Sequence, residues 1–105
     1  MNQASRLEQL REMVQQEPDD DFARYGLALE LRKEGQTQQA LAEFEELRRR
    51  HPDYVPGYFM AAQMLADEER EDEARSWLAE GIEAAKRTGD DHALEEMQEF
   101  MESIE

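Results

Sequence analysis

The stretch RRRHPDYVPGYF, residues 48–59, holds one of the chain's two histidines, His51, two residues from the carboxylate of Asp53. An imidazole beside a carboxylate can hold a metal ion or relay a proton. Either task needs further ligands or a nucleophile, and the stretch supplies neither. The second histidine, His92, follows Asp90 and Asp91, which reads as the first turn of a capped helix. DEEREDE, residues 67–73, sets six carboxylates around one arginine and so invites calcium. It lacks the central glycine and the ligand alternation of a calcium-binding loop, and a solvated helix junction is the better reading. No nucleophile elbow, phosphate-cradling glycine loop or paired-histidine metal motif occurs. The expectation is therefore a protein that is not an enzyme, with no cofactor and no metal site.

Composition narrows the alternatives. A chain of 105 residues suits one domain with a single modest core, and 39% apolar against 37% charged residues suits thin helical layers. Acidic side chains number 27 and basic ones 12, for a net charge of −15. Duplex nucleic acid and anionic membrane surfaces would be repelled, whereas a basic or amphipathic protein partner would be attracted. Cysteine is absent, which removes thiol chemistry and disulfides and fits a reducing compartment. The first residues, MNQASRLEQLREM, lack the apolar stretch of a secretory signal, and no later run is long enough to span a bilayer. A soluble, cytoplasmic protein is expected.

Apolar residues recur at helical spacing throughout, and apolar/polar alternation is absent. Leu7, Leu10, Met13 and Val14 form one stripe, ended by Pro18. The aspartates at 19–21 offer a cap to a second helix through Leu27, Ala28 and Leu31, which closes at Gly35. Thr37 is the expected cap of a third, with Ala40, Leu41, Phe44 and Leu47 on one face and Arg48, Arg49 and Arg50 in its last turn. Tyr58, Ala61, Ala62 and Leu65 mark a fourth helix, and Ala74, Trp77, Leu78, Gly81 and Ile82 a fifth. Asp53 is the expected cap of the fourth, with Pro56 in its first turn. Gly89 then breaks the chain before a sixth helix carrying Leu94, Met97, Met101 and Ile104. The fold class expected is all-α, about six helices with tight connections.

Self-similarity organises these helices. Pro18 and Pro52, Ala28 and Ala62, Leu31 and Leu65, Ala40 and Ala74, and Leu47 and Gly81 are each 34 residues apart. With small alanines where antiparallel helices must approach and Phe44 or Leu78 filling the space between, this pattern resembles the tetratricopeptide repeat (TPR) family. The resemblance implies a right-handed helical solenoid of antiparallel helix pairs in a single domain spanning 1–105. Its parts would be an N-terminal helix of an incomplete repeat at 3–18, repeats at 21–54 and 55–88, and a capping helix at 90–105. Three places depart from the family pattern: Arg24 stands where an aromatic is usual, Glu69 where a turn glycine is, and Lys86 in place of the closing proline. A left-handed Glu69 would cost about 1 kcal/mol, so a looser turn is expected there.

The same resemblance implies a concave groove that binds a peptide or partner segment. The groove-facing places are Phe22, Tyr25, Leu29, Arg32 and Lys33 in the first repeat and Phe59, Gln63 and Asp67 in the second, with Met60 on the margin. Phe22, Tyr25 and Phe59 are expected as partly exposed anchors. Tyr25, Leu29 and Met60 stand where the family's carboxylate-clamp members carry Lys or Asn, so clamp activity is not expected. The alternative is a self-associating structural protein, since two complete repeats fall short of the roughly three a stable stack needs. Leu94, Met97, Met101 and Ile104 would then form the seam of a homodimer.

Overall fold

The computed structural model describes residues 5–104, which form six α-helices and no strand. They are α1 (Arg6–Gln16), α2 (Asp21–Lys33), α3 (Thr37–Arg50), α4 (Val55–Asp67), α5 (Glu71–Thr88) and α6 (Asp91–Ser103). The first helix starts later than residue 3 because Ser5 caps it, accepting a hydrogen bond from the Glu8 amide at 3.1 Å. Residues 3 and 4, and Glu105 at the expected capping helix's end, lie outside the described residues.

The 34-residue period extends to the helix boundaries. Asp21 and Val55 open α2 and α4, Lys33 and Asp67 close them, and Thr37 and Glu71 open α3 and α5, each pair one period apart. The turns repeat as well. Gly35 has φ +78° and Glu69 +61°. Gln36 N donates to Leu31 O at 2.9 Å, and Arg70 N donates to Leu65 O at 2.8 Å. These six-to-one bonds define the same Schellman closure, so the turn at Glu69 is as tight as the glycine turn. Because Gln36 both closes α2 and precedes α3, Thr37 is already helical and caps nothing; Gln36 holds the N-cap place without a side-chain bond. Asp53 is likewise not a cap, since Tyr54 takes that place in α4.

The chain divides between His51 and Pro52 into two compact units. In the first, α2 packs against both α1 and α3. Ala28 and Ala40 have no exposed surface, which lets the backbones of α2 and α3 approach, and Phe44, Leu31 and Leu47 fill the remaining space. Each such large side chain, fully buried, contributes about 1.5–3 kcal/mol. Met13 is 49% exposed, unlike its stripe neighbours Leu10 and Val14, so the apolar stripe of α1 is narrower than its spacing predicts. Arg24 is buried in this unit: its Nη1 lies 2.6 Å from Glu43 Oε1 and its Nη2 donates to Pro18 O at 3.1 Å.

In the second unit α5 packs against α4 and α6, and α4 touches α6. Ala61, Ala62, Ala74, Leu65 and Leu78 are wholly buried. Tyr58 and Trp77 meet with ring centroids 6.1 Å apart, and Tyr58 Oη donates to Pro52 O at 2.7 Å. With Lys86 where a proline would stop it, α5 runs on to Thr88 and ends at Gly89, φ +70°. The shorter α3 ends at Arg50, two residues before Pro52.

Charges at helix ends follow the dipole. Glu71, Asp72 and Glu73 open α5, and Arg48, Arg49 and Arg50 close α3. Hydrogen bonds from Arg49 and then Arg50 pull the Glu46 carboxyl down to about 2. A carboxyl depressed on folding stabilises the native state above its unfolded pKa, and the contribution disappears as pH falls through the folded value. Acid unfolding followed by circular dichroism should therefore show a Glu46-dependent loss between about pH 4.5 and 2. That loss is small, because the carboxylate is partly in water, and Glu46→Gln removes it.

Candidate functional site

The charged clusters that could have been chemical sites are tied up in helix junctions. His51 Nε2 lies 2.8 Å from Asp19 O, beside an ion pair between Arg50 and Asp19. Asp53 accepts from Arg87 Nε at 3.0 Å, while Arg87 Nη2 donates to Pro52 O at 3.1 Å. In the acidic run, Arg70 makes two 2.8 Å bonds to Glu73, and Asp72 pairs with Arg75 at 2.8 Å. The bond from Arg70 holds the Glu73 carboxyl below its ordinary value. Among the described residues no three His, Asp or Glu side chains gather as metal ligands. No helix among them is long and apolar enough to cross a membrane.

The partner-facing places predicted on α2 share one face. Phe22, Tyr25, Leu29 and Arg32 follow one another at three- and four-residue steps, which brings them onto a single side of the helix, with Lys33 beside them. The opposite side is the buried one, carrying Ala23, Arg24, Leu27, Ala28 and Leu31. Phe22 is 74% exposed, an unusual position for a phenylalanine. Tyr25, Leu29 and Arg32 are half-buried and Lys33 is exposed. Partial burial raises the Tyr25 phenol above its ordinary pKa.

On α4, Phe59, Met60 and Gln63 are half-buried and Asp67 is exposed. Phe59 is not open in the way Phe22 is: its ring meets Phe100 of α6 edge to face, centroids 5.8 Å apart at 70°. Phe100 went unrecognised in the sequence because Leu94, Met97, Met101 and Ile104 already completed a stripe. Its position three residues after Met97 was the available signal. That stripe faces inward. Met97 has no exposed surface and its Sδ would lie 2.7 Å from a Cβ placed on Gly81, while Leu94, Met101 and Ile104 are half-buried. Packing within the unit already encloses Met97.

Two family models described as tetratricopeptide repeat match the chain, over residues 1–57 and 31–95. The chain belongs to the tetratricopeptide repeat family. A TPR domain protein from Salinibacter ruber is 38% identical in both its solution and crystal structures. The solution structure aligns over 85% of this chain and 90% of that one with a TM-score of 0.79, and the crystal structure over 81% and 94% with a TM-score of 0.73. A Bordetella parapertussis protein of known solution structure, 22% identical, shares the fold over 97% of this chain and 89% of that one, TM-score 0.81. No curated protein matches the chain. The fold is an all-α helical repeat, and TPR repeats, a non-catalytic scaffold class, generally mediate protein–protein interaction.

Proposed function

We propose that the chain is a cytoplasmic adaptor that binds a peptide or partner segment in the groove the family resemblance implies, with residues 21–54 and 55–88 as its two repeats. The partner surface in this reading is the outward side of α2, and the corresponding places of α4 form a surface of their own in the second unit. The observation that carries it is Phe22: a phenylalanine 74% exposed at the start of a helix face on which Tyr25, Leu29 and Arg32 are half-buried, with exposed Lys33 beside them. Exposing such a ring has no folding benefit, and aromatic anchors beside polar groups are typical of binding surfaces. Arg32 and Lys33 suit an acidic group on the partner, and Asp67 a basic one.

Affinity capture with the wild-type chain and with Phe22→Ala/Lys33→Ala tests this. Both replaced side chains are exposed, so the melting curve should shift by no more than about 0.5 kcal/mol equivalent. The variant is expected to lose the partners that the wild type retains. Equal capture by both proteins would contradict the assignment of the α2 face.

A further inference from the structure

We propose that the notch between Phe59 and Phe100 receives an arginine side chain from a basic segment of a partner protein. This rests on the interaction-module reading and specifies a chemistry for one part of it. The notch lies wholly in the second unit. The two rings, with Glu96, Glu99 and Ser103, line a pocket of about 320 Å³ that opens to solvent. That volume is at the lower end of ligand pockets, about 300–1,000 Å³, and suits one long side chain better than a cofactor. Both rings are half-buried, which leaves part of each available for contact.

The choice of arginine follows from what surrounds the rings. α6 carries Asp91, Glu95, Glu96, Glu99 and Glu102 and no lysine or arginine. The last turns of α2, α3 and α5 each hold basic residues, whereas that of α6 holds none. Glu96 has His92 Nε2 at 3.6 Å, an ion pair only when the imidazole is protonated. Glu99 makes no ion pair with a described residue. Arg75 reaches the end of α6 but donates to Ile104 O at 3.0 Å and to Asp72, leaving both pocket carboxylates to other cations. A guanidinium is flat, stacks on an aromatic face and pairs two donors with a carboxylate; an ammonium does only part of this. In a chain of net charge −15, the approach of a basic segment is also favoured at long range.

The test is a titration of the ¹⁵N-labelled full chain with the acetylated, amidated peptide Gly-Arg-Gly-Leu-Arg-Gly, and with its citrulline and lysine counterparts. Citrulline keeps the shape of arginine and removes its charge. The arginine peptide should move the amides of Phe59 and of residues 96–103, and bind about fivefold more tightly than the citrulline peptide. Glu96→Gln/Glu99→Gln should weaken it by about threefold, and Glu95→Gln/Glu102→Gln, the same charge change on the same helix outside the pocket, by less than about half that. Phe100→Leu, with its fold verified by circular dichroism, should weaken it while leaving the carboxylates in place. Equal binding of the citrulline peptide, equal losses in the two glutamine pairs, or tighter binding of the lysine peptide would each overturn the proposal. If Phe22→Ala/Lys33→Ala loses its captured partners while the Glu96/Glu99 variant binds the peptide normally, the notch assignment fails and the adaptor reading stands. The converse result removes the α2 face and keeps the notch.

Discussion

Gly81→Ala lowers stability by about 2 kcal/mol and the melting temperature by about 8–16 °C. A Cβ at this position would lie 2.6 Å from Tyr58 Cβ, 2.7 Å from Met97 Sδ and 3.2 Å from Tyr58 Cγ. The thioether of Met97 could rotate, but Met97 is wholly buried and has little room to do so. Tyr58 Cβ is bonded directly to the backbone of α4, so relief there requires the helices themselves to separate. Alanine is the better helix former by about 0.8–1.0 kcal/mol, which the predicted loss already includes. Gly26→Ala is the control. Its added Cβ meets only Leu10 Cδ2, at 3.3 Å, the far end of a flexible side chain. Urea unfolding of the two variants should separate them clearly, and a Gly81→Ala protein as stable as the wild type would contradict the close three-helix packing around this glycine.

Arg24→Tyr and Glu43→Trp made together cost less than the two changes made singly. Positions 24 and 58 are one period apart, and so are 43 and 77. At 24 and 43 the first unit has an ion pair at 2.6 Å; at 58 and 77 the second has an aromatic pair at 6.1 Å. In both units one member of the pair, Arg24 on α2 or Tyr58 on α4, also donates to a proline carbonyl, of Pro18 and Pro52 respectively. The place therefore asks for a long side chain with a donor at its tip and a matched neighbour, and two chemistries meet that demand. Removing Arg24 alone, as in Arg24→Ala, leaves the Glu43 carboxylate without its cation and Pro18 O without its donor. The expected cost is about 2–3 kcal/mol, below the 3–5 of a fully buried pair, because the Glu43 side chain keeps 27% of its surface exposed. A double-mutant cycle followed by circular dichroism should give a favourable coupling of about 1–3 kcal/mol between the tyrosine and the tryptophan. Strict additivity would show that the two pairs are not interchangeable solutions to one packing problem.

The helices and their period were readable because they depend on patterns that a single sequence carries: apolar spacing, small residues at close contacts, and prolines and glycines at the breaks. Arg24 looked like a departure from the family pattern because its partner Glu43 lies on another helix, and spacing does not reveal which side chains compensate one another. Glu69 looked like a looser turn for a similar reason. The Leu65 and Ala66 carbonyls it helps to satisfy outweigh the strain of a left-handed glutamate. Thr37 and Asp53 have the right chemistry for capping, but the tight turns before them shift the cap to Gln36 and Tyr54. Of the residues proposed to face a partner, those on α2 share one helix face, which helical phase alone predicts. The surroundings of Phe59 could not be predicted in this way, because they depend on Phe100, an aromatic in a helix otherwise notable for its carboxylates.

Affinity capture with a third bait tests the central claim, that the outward side of α2 contacts the partner. Wild type, Phe22→Ala/Lys33→Ala and Ala42→Gln/Glu45→Ala, the last changing exposed residues of α3, should all share one melting curve within about 0.5 kcal/mol. The α3 variant is expected to retain the wild-type partners and the α2 variant to lose them. Partners retained by the α2 variant and lost by the α3 variant would contradict it.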